Sequence, residues 1–334
     1  NVFVEEASNQ DLLSLKVVSE DVSLPDAAQQ GKTTQFAIQR VLRHSQKKEL
    51  INIPNTQLQR RRSTRKKSNQ DQGEITQKAE TFTLQWHITH ACDLACKHCY
   101  DRSKRIQFTY NEAIGALNQL DAFCEKKRVY GHICFSGGNP FLYPRFIDIY
   151  KQTVDRGYIT SILGNPVDER RLLDIITIHP PQYYQVSLEG LKEHNDSIRG
   201  KGHFEKTLSF LKLLKHHNVE ATVMLTLTNE NIDQVMPLTE ILKEYADYFT
   251  FNRLSLVGEG ARLALPDRKK YHAFLDEYIE VSKKNPIMGF KDNLINLHLH
   301  GRGKKYFSGC TGFGCGAAFN FLTLLPDGDM HACR

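Results

Sequence analysis

"FTLQWHITHACDLACKHCYDRS", residues 82–103, decides how the chain is read. Its first eight residues read as a strand, and a loop carrying Cys92, Cys96 and Cys99 follows directly. The spacing is C-x3-C-x2-C, one residue wider on the left than a zinc pair needs. Three thiolates in such a loop can hold three corners of a cubane iron–sulfur cluster. Electron-transfer cubanes take four cysteines, so a three-cysteine site leaves one iron open to an exogenous ligand. The rival reading is zinc, with His87, His90 or His98 as fourth ligand, although zinc normally pairs C-x2-C with a second, distant pair.

The rest of the composition frames that loop. The 334 residues are 40% hydrophobic and 25% charged, within the soluble range and long enough for one large α/β domain or two smaller ones. Nothing approaches the apolar run of a membrane span, and the first thirty residues are acidic and polar, unlike a secretory signal. The chain does not begin with Met and reads as a processed product or a fragment. Eight cysteines over this length do not make a disulfide scaffold. Six of them fall into two clusters, Cys92/Cys96/Cys99 and Cys310/Cys315/Cys333, which points to metal. Cys124 and Cys134 stand alone in apolar contexts and read as buried thiols. The expected compartment is reducing and cytoplasmic.

The formal net charge is +6, and much of it lies in "RRRSTRKK", Arg60 to Lys67. This run sits in a stretch, 53–80, rich in Gln, Ser, Thr and Lys, that reads as a polar basic linker. A docking strip for an acidic partner is the alternative; without interleaved aromatic side chains, nucleic acid is not the expected partner. Residues 1–52 form a small module of unread role, with helical spacing in QFAIQRVLRH from Gln35.

From Phe82 strands and helices alternate. After the first strand comes a helix over 110–127, then HICFS and a helix over 144–156, then YITSILG and a helix over 167–177. YYQVSLEG precedes a helix over 203–217, EATVMLTLT one over 231–245, and YFTFNRLSLVG one over 267–284. Six such units imply parallel strands with helices outside, and right-handed crossovers curl them into an open, partial (β/α)6 barrel over 82–284. Ligands of such sheets gather at the carboxyl ends of the strands.

CDLACKHC resembles the signature of the radical S-adenosylmethionine (SAM) superfamily, whose loop joins the first strand and helix of a partial barrel. The resemblance implies that Cys92, Cys96 and Cys99 bind [4Fe–4S] and that the open iron takes the amino and carboxylate groups of SAM. An electron from the cluster would then cleave the sulfonium to a 5′-deoxyadenosyl radical, which abstracts hydrogen from a substrate. His98 occupies the place before the third cysteine where the family often has an aromatic beside adenine. FSGGNP resembles the family's Gly-Gly-Glu segment, with Gly137 and Gly138 approaching the methionyl amino group and Asn139 standing where Glu is usual. VSLEG resembles the ribose-contacting strand end, with Ser187 and Glu189 as polar candidates. Arg199 in SIRGKGHF looks placed for the SAM carboxylate, Asn165 in LGNP for the ribose, and SLVGEG (255–260) for the adenine edge.

Cys310, Cys315 and Cys333 resemble the start of a SPASM extension carrying auxiliary [4Fe–4S] clusters, with Pro326-Asp327-Gly328 turning a hairpin; structural zinc is the alternative there. Residues 285–334 are then a connector and the beginning of that extension, apparently truncated. Sulfatase-maturing members carry Asp where this chain has Arg334. The resemblance, over 82–334, implies a peptide maturase, most like those of thio(seleno)oxazole-type modification. It would act on a precursor peptide with a one-electron reductant such as flavodoxin or ferredoxin. Two other readings stand beside it: a catalytically silent iron–sulfur protein that binds peptide or senses iron, and a zinc-bearing interaction module.

Overall fold

The computed structural model describes residues 12, 16–18, 22, 24–31, 38, 42, 79, 81–103, 105–127, 129–292, 295–303 and 315–333. The basic stretch Arg60–Lys67, Cys310 and Arg334 lie outside the described residues. The chain divides into two compact units, Asn1–Glu80 and Thr81–Arg334. In the first, helix α1 (Leu24–Gln30) buries Ala27 and Ala28 in a small cluster with Ile38 and Leu42.

The second unit is built on an eight-stranded sheet of order β6-β5-β4-β3-β2-β1-β7-β8. Strands β1 (Thr81–Thr89), β2 (Tyr130–Gly137), β3 (Ile159–Leu163), β4 (Tyr184–Ser187), β5 (Ala221–Leu227) and β6 (Tyr248–Arg253) pair in parallel in chain order. The sheet is open: β6 ends one edge and β8 (Met330–His331) the other, as a partial barrel requires. Between the strands run α2 (Tyr110–Lys127), α3 (Phe146–Asp155), α4 (Glu169–Ile176), α5 (Lys192–Arg199), α6 (His203–His216) and α7 (Val235–Leu242). After β6 come α8 (Arg268–Ser282) and α9 (Ile295–His300).

Successive strand residues point to opposite faces, and the register sorts them cleanly. Leu84 and Trp86 of β1 lie level with Ile133 and Phe135 of β2 and, with Phe82 and Ile88, join the main core. Trp86 stacks on Phe135, and Phe82 packs against Phe123 of α2. The alternate residues Thr83, Gln85 and His87 lie level with His132, Cys134 and Ser136, so the other face of the sheet is polar. One parallel sheet thus carries an apolar face for its helices and a hydrogen-bonding face opposite them.

Local chemistry starts the helices where the sequence reading put them. Thr109 and Glu112 form a reciprocal cap on α2: the Glu112 carboxylate accepts from Thr109 N at 2.8 Å, and Thr109 Oγ1 accepts from Glu112 N at 3.3 Å. Asp168 caps α4 and Asp267 caps α8, each accepting a backbone N–H at 2.9 Å.

Two stretches depart from the reading. Helix α5 was not expected, because KEHNDSIR buries only Asn195 and Ile198 and shows no apolar stripe. The helix expected over 231–245 is a 3-10 turn, Ile232–Gln234, followed by α7, whose Pro237 falls in the first turn where its missing N–H costs nothing. Near the end of the chain, β7 (Phe321–Leu324) pairs in parallel with β1, and β7 and β8 form the antiparallel hairpin around Pro326–Gly328. No helix among the described residues is long and apolar enough to cross a membrane.

Candidate cluster and cofactor site

The cysteine loop leaves β1 at its carboxyl end, and the carboxyl ends of the later strands converge on it. From β2, Gly138 N donates to Thr89 O at 2.9 Å and Asn139 N to Ala91 O at 2.7 Å. Both glycines of FSGGNP are demanded by this approach: a Cβ on Gly137 would fall 2.1 Å from Thr89 O, and one on Gly138 2.1 Å from Ala91 O. Gly137 also has a φ of +123°, which side chains disfavour. The bareness expected to serve the methionyl amino group therefore has a partner within the chain itself.

From β3, Asn165 Nδ2 donates to Asp93 Oδ1 at 2.5 Å and lies 3.5 Å from Cys92 Sγ. Asn139 Nδ2 donates to the same Asp93 oxygen at 3.1 Å, and its own Oδ1 caps the short 3-10 turn Pro140–Leu142. Asp93 thus gathers the exits of β2 and β3 beside the first cysteine. From β6, Glu259 N donates to Cys99 O at 2.9 Å. A Cβ on Gly258 (φ +58°) would meet Cys99 O at 2.7 Å, so the Gly-x-Gly expected along adenine packs on the cysteine loop's backbone.

The exit of β4 holds the charged centre. Glu189 is 1% exposed and accepts at Oε1 from Arg199 Nε and Nη2, at 2.9 and 2.6 Å. Thr226 N of β5 donates to its Oε2 at 2.8 Å, and His98 Nε2 lies 3.3 Å from Oε1. Arg199 sets its Nη1 3.7 Å from Cys96 Sγ, and Lys97 N donates to Ile198 O, so the end of α5 grips the loop. Burial works against the Glu189 carboxylate, but His98, Arg199 and the Thr226 N–H outweigh it and hold the group well below the ordinary range. Burial likewise raises the Cys96 thiol, Arg199 opposes it, and Cys92, Glu189 and Cys99 add to the rise.

Cys92 and Cys99 thus both act on the Cys96 thiol. Cys92 is exposed, while Cys96 and Cys99 are half-buried. Among the described residues no group of three or more His, Cys, Asp or Glu converges as the ligands of a single metal ion do. A thiol raised by burial and by its neighbours, as Cys96 is, suits a cationic iron centre that would hold it as thiolate. His98 Nδ1 is buried with no partner, an unsatisfied polar atom inside the site. These features fit a cluster bound by Cys92, Cys96 and Cys99 with a polar ligand beside it.

Of the residues singled out from sequence, the structure brings together Cys92, Cys96, Cys99, His98, Gly137, Gly138, Asn165, Glu189 and Arg199. Ser187 ends β4 half-buried on the sheet's polar face, level with Met224. Cys315 and Cys333 are exposed, on either side of the β7–β8 hairpin. Sequence reasoning missed Asp93, Thr226 and the structural part played by Asn139. The signal available for Asp93 was its place directly after Cys92, with asparagines at two later strand ends.

Residues 86–242 match the model of the Radical SAM superfamily. The Fe-coproporphyrin III synthase of Methanosarcina barkeri is 25% identical over 225 residues, covering 64% of this chain and 55% of that protein. The antilisterial bacteriocin subtilosin biosynthesis protein AlbA of Bacillus subtilis is 24% identical over 259 residues, covering 74% of this chain and 54% of that protein. The chain thus spans just over half the length of these two relatives. Among solved structures, Streptococcus suis SuiB bound to S-adenosylmethionine superposes with a TM-score of 0.60 at 16% identity, over 99% of this chain and 76% of SuiB. At that identity the likeness shows the fold.

Proposed function

We propose that the chain binds [4Fe–4S] through Cys92, Cys96 and Cys99, binds SAM beside it, and modifies a ribosomally made precursor peptide. The observation that carries this reading is the Cys96–Arg199–Glu189–His98 constellation at the converging strand ends of a radical SAM domain. When bound, the cluster and SAM supply the 5′-deoxyadenosyl radical that removes hydrogen from substrate. The chain's own work is positional. Asp93 and Arg199 hold the loop, Glu189 holds Arg199, and the glycines let the β2 exit close on it. Arg199 supplies the cationic head for the SAM carboxylate, while His98, Asn165 and Ser187 offer polar contacts to the nucleoside.

The peptide class is supported by AlbA and by SuiB, which has also been solved with its precursor peptide SuiA. An auxiliary cluster on Cys310, Cys315 and Cys333, an electron carrier such as flavodoxin or ferredoxin, and a cytoplasmic setting belong to the same reading. A second reading, a tetrapyrrole substrate, is favoured by the similarity to the Fe-coproporphyrin III synthase. The test is anaerobic. Protein reconstituted with iron and sulfide is given SAM and dithionite, and 5′-deoxyadenosine is assayed with the Cys92→Ala/Cys96→Ala/Cys99→Ala variant as control. Product from the parent alone supports the reading; none from a parent with an intact cluster spectrum overturns it. Transfer of deuterium from a labelled precursor peptide, against a labelled tetrapyrrole, then decides between the substrates.

A further inference from the structure

The turn between α5 and α6, Arg199–His203, is laid bare beside Cys96. Gly200 (φ +115°) and Gly202 (φ +80°) take conformations that suit glycine, and a Cβ on either would stand in open space. Lys201 is therefore the one side chain that the middle of this turn carries. A cavity of about 210 Å³ opens here, at the edge of the cofactor site proposed above, lined by Asp93, Asn165, Arg199, Lys201, His203 and Lys206.

The charges around it are unequally engaged. Asp93 accepts from Asn139 and Asn165. Asp196 accepts from Gly202 N and Phe204 N at 2.7 and 2.8 Å, tying down the start of α6. Glu205 is paired with Lys192. Lys97, Lys201 and Lys206 are exposed, and none is ion-paired with an acid among the described residues. Two of these ammonium groups, Lys201 and Lys206, line the cavity together with Arg199, whose guanidinium lies 3.7 Å from Cys96 Sγ.

We propose that this lysine-rimmed turn is the docking surface for an acidic one-electron carrier protein, which reaches the cluster held by Cys92, Cys96 and Cys99 past Arg199. The inference rests on the radical SAM reading above and adds the place and the charge of the electron donor. One electron leaves the carrier and one enters the cluster; no atom is transferred. Complementary charge raises the rate of encounter and orients the carrier, and salt screens both effects.

Binding is the primary readout. The reconstituted full chain is titrated with oxidised flavodoxin at low and high ionic strength, following flavin fluorescence. Lys201→Glu/Lys206→Glu weakens binding about tenfold or more at low salt, the range expected when charges at a steered interface are reversed. The milder Lys201→Gln/Lys206→Gln falls between, and high salt closes the gap. With dithionite in place of flavodoxin, both variants form 5′-deoxyadenosine at the parent's rate. Equal affinity of parent and charge-reversed protein overturns the proposal, as does a parent that does not bind flavodoxin at low salt. Loss of binding confined to reversal of Arg60, Arg61 and Arg62 also overturns it, moving the contact to the basic stretch. A parent that makes no 5′-deoxyadenosine with dithionite sinks the radical SAM reading instead, while the titration still decides the docking surface.

Discussion

Arg199 donates twice to a single oxygen of Glu189, at 2.9 and 2.6 Å, leaving its remaining terminal nitrogen 3.7 Å from Cys96 Sγ. The other oxygen of Glu189 is held by Thr226 N of β5. Glu189 thus fixes the guanidinium that faces Cys96 and ties the exit of β4 to β5. A buried pair of this kind is weak evidence for net stability, because desolvation offsets attraction, but removing one partner strands the other.

Glu189→Ala is expected to lower unfolding free energy by about 3–5 kcal/mol, the cost of leaving a buried charge alone. Glu189→Gln costs less, since an amide still accepts from Arg199. The pH dependence has a definite sign. The folded carboxyl sits below its ordinary value of 4.5, so its contribution is complete at neutral pH and is lost as pH falls beneath that value, where the unfolded chain takes up the proton first. Urea melts across pH check both, and a change below about 1 kcal/mol for Glu189→Ala would refute the buried-pair account.

Gly138→Ala tests the fit of the β2 exit against the cysteine loop. Its new Cβ would lie 2.1, 2.5 and 2.8 Å from Ala91 O, Ala91 C and His90 O, all backbone atoms. Backbone cannot swing aside as a side-chain tip does, so the loop must shift, at a cost of about 1–3 kcal/mol for overpacking. We expect a circular dichroism spectrum like the parent's with iron retained after reconstitution reduced severalfold. Full iron retention and an unchanged absorption near the cluster band would contradict the structural need for this glycine.

Much of this architecture is legible in the sequence, and the reasons are local. Thr109 and Glu112 announce α2, and the cysteine spacing announces its own chemistry. Tertiary relations are what a linear reading misses. Asp93 looks like an unpartnered loop acid until Asn139 and Asn165, 46 and 72 positions later, are found donating to it. That Gly258 also packs on the backbone of Cys99 and Tyr100 is not legible in the sequence. Helix α5 hides because its stability comes from Asn195 and Ile198 alone among its buried residues, too few to make a stripe. The β7–β8 hairpin is legible at Pro326–Gly328, whereas the pairing of β7 with β1 is not, because it spans most of the unit.

The Asp93 junction predicts strong non-additivity. Asn139→Ala and Asn165→Ala each remove one donor to the same oxygen, whereas Asp93→Ala removes the acceptor from both. A double-mutant cycle of Asp93→Ala with Asn165→Ala should show a coupling of roughly 0.5–3 kcal/mol, as residues in one hydrogen-bond network do. Chemical denaturation supplies the four stabilities. Effects that simply add would mean the carboxylate and the amide do not share a bond.

His203, like the buried His132, gives the chain a pH-sensitive point near the neutral range. It is 5% exposed at the start of α6, with Nδ1 3.2 Å from Asn195 Nδ2. Burial, then the charge of Arg199, lower its imidazole from the ordinary 6.5 to about 4. Between those values the unfolded chain binds a proton that the folded chain refuses, so stability declines as pH falls. By about pH 5 the loss attributable to this group is on the order of 2 kcal/mol. Replacing it by a side chain of similar size that does not titrate, His203→Gln, should flatten that part of the profile, at some constant cost from altered packing. Unfolding midpoints at matched ionic strength between about pH 7 and pH 5 measure the slope, which the linkage relation ties to proton uptake. A variant whose midpoint falls as steeply as the parent's would show that the pH sensitivity lies in other groups. A flattened slope would place the proton uptake on the imidazole that lies under the turn carrying Arg199 to Cys96.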